Sequence, residues 1–185
     1  MRPDVRGKLK RTIVLVGMMG AGKTAIGTAL ARTLGVPFLD SDEQIEKAAN
    51  RTVAEIFARD GEAFFREKEA QVLARLLNGP PAVLSTGGGA FMSERNRTEI
   101  SRKGIALWLK ADLELLWNRV RHKSTRPLLQ TADPKGTLQA LLEKRAPVYA
   151  LAEVVVEARP EYSVEDMTAK VVEALAARPD LLEKA

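Results

Sequence analysis

Gly17-Met18-Met19-Gly20-Ala21-Gly22-Lys23-Thr24 decides how this 185-residue chain is read. The octapeptide fits G-x-x-x-x-G-K-[ST] in full. The run before it, Thr12–Val16, is short, apolar and rich in β-branched residues, which suits a buried parallel strand. The run after it, Lys23–Leu34, carries Ile26, Ala29, Leu30 and Leu34 at helical spacing and stops at Gly35. Chance would give such a match in a chain of this size about once in a hundred, and the flanking strand and helix make it rarer, so the loop reads as a phosphate cradle. Glycines let the backbone curl until successive N–H groups face one anion, and the helix start adds partial positive charge. Gly20, Ala21, Gly22, Lys23, Thr24 and Ala25 are expected to hold the phosphates of ATP. Lys23 would reach the β- and γ-phosphates, and the Thr24 hydroxyl is placed to ligate Mg²⁺.

Outward from this loop, apolar runs alternate with helical patterns. Strands are expected at 36–40, 82–85, 105–109 and Val154–Glu157. Helices are expected from near Glu43, then at 52–59, 61–77, 93–102 and 113–121, over Pro134–Tyr149, and at 164–177. Ser41 or Asp42 can cap the helix that begins near Glu43. This alternation implies an α/β fold in three layers, α/β/α, with a five-stranded parallel sheet covered on both faces. A single domain over 12–178 follows, with a disordered basic leader at 1–11 and a flexible tail at 179–185. The stretch from His122 to Asp133 is polar, basic and broken by Pro127. Irregular segments of that length in a compact domain are usually lids or binding loops, so a lid is expected at about 121–134.

Composition narrows the function classes. There is no Cys, which excludes disulfides and thiolate chemistry. The net charge of +5 is spread, with 29 basic residues interspersed among 24 acidic ones and no basic stripe with interleaved aromatics, so nucleic acid is not expected as a partner. No apolar stretch approaches the roughly 20 residues that cross a bilayer, so no membrane is expected and a cytoplasmic location fits.

Other residues gain meaning from their position relative to the loop. Asp40 and Asp42 close the second strand, and ligands of open parallel sheets sit at the strands' carboxyl ends. One carboxylate could hold an Mg²⁺-bound water, and the other could accept the proton of an attacking hydroxyl. Arg66 and Glu69 stand at i,i+3, which by spacing alone is an ordinary surface pair. Gly87, Gly88 and Gly89 close the third strand, as a turn or as a place of close ligand approach. Arg126, in the expected lid, could stabilise a phosphoryl group in transfer. Arg145, near a helix end, could simply answer the helix dipole. Arg119, Arg121 and Lys123 read as solvated charge, Trp108 and Trp117 as core, and the single histidine, His122, has no partners for chemistry.

Taken together, these residues resemble the shikimate kinase family of P-loop kinases over about residues 12–160. The likeness rests on the glycine loop, Asp40-Ser41-Asp42, Phe65-Arg66 with Glu69, Ser85-Thr86-Gly87-Gly88-Gly89, Arg126-Pro127-Leu128-Leu129, and Arg145 with Pro147 and Tyr149. The resemblance implies a P-loop kinase fold and ATP-dependent phosphorylation of the 3-hydroxyl of shikimate; a monomer is expected. It implies that Asp42 binds the substrate hydroxyls and serves as base, and that Asp40 supports Mg²⁺ with Thr24. It further implies that Arg66 and Arg145 grip the carboxylate, Gly87, Gly88 and Gly89 line the pocket, and Arg126 contacts ATP phosphates from the lid beside Lys23. The substrate-binding region would span about 41–70. Arg159 is a loose match for an adenine contact. The family shares this chain's lack of an ordinary Walker B strand. Two alternatives remain: a gluconate-type small-metabolite kinase, and a P-loop protein that senses nucleotide without catalysis.

Overall fold

A computed structural model describes residues 8–122 and 129–183. The elements in chain order are β1 (Lys8–Leu9), β2 (Thr12–Val16), α1 (Lys23–Leu34), β3 (Phe38–Asp40), α2 (Ser41–Ala49), α3 (Val53–Leu77), β4 (Val83–Ser85), a 3₁₀ turn (Ala90–Met92) and α4 (Glu94–Lys103). There follow β5 (Gly104–Lys110), α5 (Leu113–Val120), α6 (Pro134–Tyr149), β6 (Val154–Glu157), α7 (Val164–Ala176) and β7 (Leu182–Glu183). Five strands form one parallel sheet in the order β3-β4-β2-β5-β6. The fold is the expected three-layer α/β/α type. Helix α1 packs on α7, β3 and β4, while α3 packs on α4 and α4 on β5, so helices cover the sheet.

The central strand is β2, buried at every residue. A strand flanked on both sides and covered on both faces must be apolar throughout, and Thr-Ile-Val-Leu-Val meets that demand. Its one hydroxyl, on Thr12, accepts from the Ala82 N–H at 3.3 Å. The register pairs Leu15 with Ser85 and Leu107, and Asp40 with Ser85. The carboxyl ends of β2, β3 and β4 therefore open onto one edge. A smaller core of Ile45, Ile56, Phe65 and Val72 joins α2 to α3 beside that edge.

Three expectations change. The cap of α2 is neither Ser41 nor Asp42 but Asp40, whose Oδ1 accepts from the Glu43 N–H at 3.1 Å. The two helices expected at 52–59 and 61–77 are two arms of α3, bent at Gly61, whose φ of 86° and ψ of 171° no helix holds. The leader and tail are structured where they are described: Lys8 pairs with Glu183 and Leu9 with Leu182 in an antiparallel ladder. The cause is burial, since Leu9, Leu181 and Leu182 are at most 3% exposed.

Candidate active site

The loop after β2 turns on glycines at positive φ, 146° at Gly17, 83° at Gly20 and 94° at Gly22, a region side chains disfavour. No side chain caps α1, and its first turn holds no acid. The first N–H groups of a helix have no partner within it, so this end is left to an anion. Lys23 reaches back along the loop, its Nζ donating to the carbonyls of Gly17 at 2.6 Å and Met18 at 3.0 Å.

Beside the loop lies a cavity of about 770 Å³. Its lining includes Gly20, Gly22, Lys23, Thr24 and Ala25 on one side. On the other it includes Asp42, Arg66, Arg145 and the three glycines after β4. Asp40 lines it as well, with one carboxylate oxygen spent on the α2 cap. Within the described segments the expected site residues line this space except Arg159 and Ala21, the latter buried in the loop with its N–H bonded to Met18 O at 3.1 Å. Arg126 and the centre of the expected lid lie outside the described residues.

Each glycine after β4 faces a different polar side chain. A Cβ on Gly87 would stand 3.0 Å from Asp42 Oδ1, one on Gly88 2.7 Å from Arg145 Nη1, and one on Gly89 2.5 Å from Arg66 Nη2. The open question between a turn and a close approach is thus answered by contact: the missing side chains make room for Asp42, Arg145 and Arg66. Thr86 ties this segment to the centre of the sheet, since its hydroxyl donates to Leu15 O at 2.9 Å.

Asp42 is held less acidic than an ordinary aspartate. Burial raises its pKa first, then the charges of Asp40 and Glu46, against the pull of Lys23 and Arg66. Its Oδ1 is buried with no hydrogen-bond partner among the described residues. A buried acceptor left without a donor is costly. Arg66 is more than a surface pair: its Nη1 donates to both oxygens of Glu69 at 3.0 and 3.2 Å, and Glu69 is 1% exposed. Burial raises the Glu69 pKa and Arg66 opposes the rise. Arg145 stands one turn before Tyr149 on α6, whose hydroxyl donates to Gly88 O at 2.5 Å.

The oxygen groups lining the cavity include the Thr24 hydroxyl and the Asp40 and Asp42 carboxylates. Among the described residues no cluster of three or more His, Cys, Asp or Glu side chains could hold a metal by itself. Such a set fits Mg²⁺, which keeps several waters and takes one or two protein oxygens beside those of a phosphate.

Sequence reasoning missed Arg119. It reads as solvated charge, yet it lines the cavity and its Nη1 donates to Gly20 O at 3.0 Å. Arg159 is exposed and does not line the cavity; Tyr162, Ser163 and Val164 do. Trp108 is in the core as expected, between the Gly17 turn and the Tyr149 ring, whose centroid is 5.8 Å away.

The chain matches the family model described as shikimate kinase over residues 19–176. It is 69% identical to a shikimate kinase of Cereibacter sphaeroides over 180 residues, 97% of this chain and 90% of that protein. It is 63% identical to one of Ruegeria pomeroyi, over 95% of this chain and 90% of that protein. Among solved structures, the shikimate kinase from Acinetobacter baumannii in complex with shikimate superposes with a TM-score of 0.84. That pair shares 38% identity over 90% of this chain and 93% of the other. A gluconokinase from Sinorhizobium meliloti shares the fold at a TM-score of 0.61 and 20% identity, over 92% of this chain and 94% of the other.

Proposed function

The chain belongs to the shikimate kinase family, and from that premise we propose that it transfers the γ-phosphoryl group of ATP to the 3-hydroxyl of shikimate. The products are shikimate 3-phosphate and ADP, in the biosynthesis of chorismate and the aromatic amino acids. The observation that carries this reading is the single cavity in which Lys23 and the anion-ready loop face Asp42, Arg66 and Arg145.

Phosphates bind in the loop, held by the N–H groups at the start of α1 and by Lys23 once it leaves the carbonyls of Gly17 and Met18. The shikimate carboxylate is gripped by Arg66 and Arg145, one from α3 and one from α6, each able to donate a planar fork. The N–H groups of Gly87, Gly88 and Gly89 line the ring's path. Asp42 accepts the hydrogen bond of the reacting hydroxyl at its unpartnered Oδ1 and takes the proton as the phosphoryl group arrives. Its raised pKa brings it nearer the pH at which a base works well. Thr24 and Asp40, the latter through water, would hold Mg²⁺, which supplies charge neutralisation on the phosphates. Arg126 is proposed, from the resemblance alone, to close over the phosphates. Since transfer of this kind is mainly positioning and electrostatics, two ligands fixed side by side in one cavity are most of the catalyst.

No role assigned here calls for a residue of a second copy, and a monomer is proposed. ATP and the pathway favour the cytoplasm. Among the described residues no helix is long and apolar enough to cross a membrane. The deciding test is a coupled ADP-release assay with shikimate, with gluconate, and with neither. ADP release that depends on shikimate is expected; release driven equally by gluconate, or by neither acid, refutes the assignment.

A further inference from the structure

We propose that the Tyr149 hydroxyl is a positioning group that sets the acid-binding end of the cavity, holding the Gly88–Gly89 peptide and the Arg145 guanidinium in one arrangement. The proposal rests on the reading of Arg145 as a carboxylate ligand. Tyr149 ends α6 and is fully buried. It follows Arg145 by four residues, so the two side chains share a helix face. Its hydroxyl donates to Gly88 O at 2.5 Å, and a Cβ on Gly88 would stand 2.7 Å from Arg145 Nη1 and 3.8 Å from the Tyr149 hydroxyl, so the three groups meet at one place. A phenol has one proton and two lone pairs, and a guanidinium can only donate. With its proton given to Gly88, the phenol faces Arg145 only through its oxygen, on which the guanidinium's charge acts. Burial raises the Tyr149 pKa, which keeps that proton in place at working pH.

The holder is needed because of what it holds. Two consecutive glycines have the freest backbone of any dipeptide, and they must present themselves to a ligand in one orientation. The peptide unit is planar and trans, so its C=O and N–H point opposite ways. Gripping the Gly88 carbonyl from the core side aims the Gly89 N–H away from Tyr149. The phenol ring is itself fixed by packing against Trp108 at 5.8 Å between centroids. A tyrosine that only filled the core would affect stability and leave ligand discrimination alone. A positioning hydroxyl must act on the carboxylate of the substrate.

The test is Tyr149→Phe, which keeps the ring and removes the hydroxyl, measured by calorimetric titration and steady-state kinetics. Shikimate and its methyl ester, which lacks the charged acid, are the two probes. The expected result is a shikimate Kd and KM raised about tenfold, the worth of one hydrogen bond to a charged group. The kcat and the KM for ATP should stay within about twofold, and the ester should bind variant and parent alike. Equal weakening of acid and ester, or of neither, overturns the proposal. Arg145→Ala is run beside it: an unchanged shikimate Kd there refutes the carboxylate reading itself, whatever Tyr149→Phe does. If Tyr149→Phe fails to fold, 3-fluorotyrosine in the parent chain replaces it. The chain has two tyrosines, and Tyr162→Phe assigns the ¹⁹F signals. The Tyr149 signal should move on saturation with shikimate and stay put with the ester; a signal indifferent to shikimate overturns the proposal.

Discussion

Gly89→Ala should separate the acid pocket from the nucleotide site in a single step. The new Cβ would lie 2.5 Å from Arg66 Nη2 and 3.0 Å from both Cζ and Nη1, against about 3.4 Å for ordinary contact. Gly89 itself has φ −95° and ψ −7°, which alanine adopts without strain, so the backbone has no reason to move. The guanidinium must then retreat by about 1 Å. It cannot do so freely, because its Nη1 is bonded to both oxygens of Glu69, and that carboxylate is 1% exposed and walled in. A displacement of about 1 Å at a substrate-positioning group costs on the order of 100-fold, or about 2.7 kcal/mol of transition-state stabilisation. The coupled ADP-release assay should show kcat/KM for shikimate down by about that factor, mostly through KM. The KM for ATP should hold, and the melting temperature should change little, since the gain of about 0.4–1 kcal/mol from restricting the unfolded backbone is offset by the strain on the Arg66–Glu69 pair. A shikimate KM within about twofold of the parent would refute the placement of Arg66. An equal rise in the KM for ATP would refute the division of the cavity.

Two further outcomes follow from burial and charge. Asp42→Asn should lower kcat by about 10²–10⁴-fold, the range for a lost general base. It should also raise stability at pH 8. A carboxyl whose pKa is raised in the folded state binds its proton more tightly there than when unfolded, so its ionisation lowers stability as pH climbs from the ordinary value of 3.8 through the raised one. The melting-temperature gap between Asp42→Asn and parent should therefore shrink as pH falls toward 3.8, and a gap independent of pH would sink this account. Leu9→Ala should lower the melting temperature by about 5–12 °C, the effect of about 2–4 kcal/mol of lost core packing in a domain of this size, with kinetic constants unchanged. An unchanged melting curve would mean that the terminal ladder is not paired in solution.

The sequence was most legible where a pattern ran long. Pro134–Tyr149 and Val154–Glu157 are read to the residue, because four helical turns or a β-branched run between turn residues leaves little freedom. The terminal ladder was invisible, since two-residue strands have no period and Leu9 is one apolar residue in a basic stretch. The α2 cap was ambiguous for a different reason: Asp40, Ser41 and Asp42 all have capping side chains. The choice falls to the sheet, which keeps Asp40 extended opposite Ser85 and starts the helix at Ser41. Arg119 shows the larger gap. Its helix follows β5, and only the strand order places β5 beside β2 and so sets α5 against the phosphate loop. Periodicity marks a strand as buried; it does not say which strand is its neighbour.

The same buried pair that fixes Arg66 also decides how its role should be probed. Glu69 is tolerated in the interior because Arg66 answers its charge, and its raised pKa shows that burial is only partly offset. Removing the arginine would leave that carboxylate unpaired, a change that typically costs 3–5 kcal/mol and drives the acid to take up a proton. A poor Arg66→Ala enzyme would then report lost folding as readily as lost substrate contact. Adding one methyl group at Gly89 moves the guanidinium while every charge stays in the cavity. A selective loss of shikimate affinity in that variant can be traced to where the fork points, because nothing else about the pair has been removed.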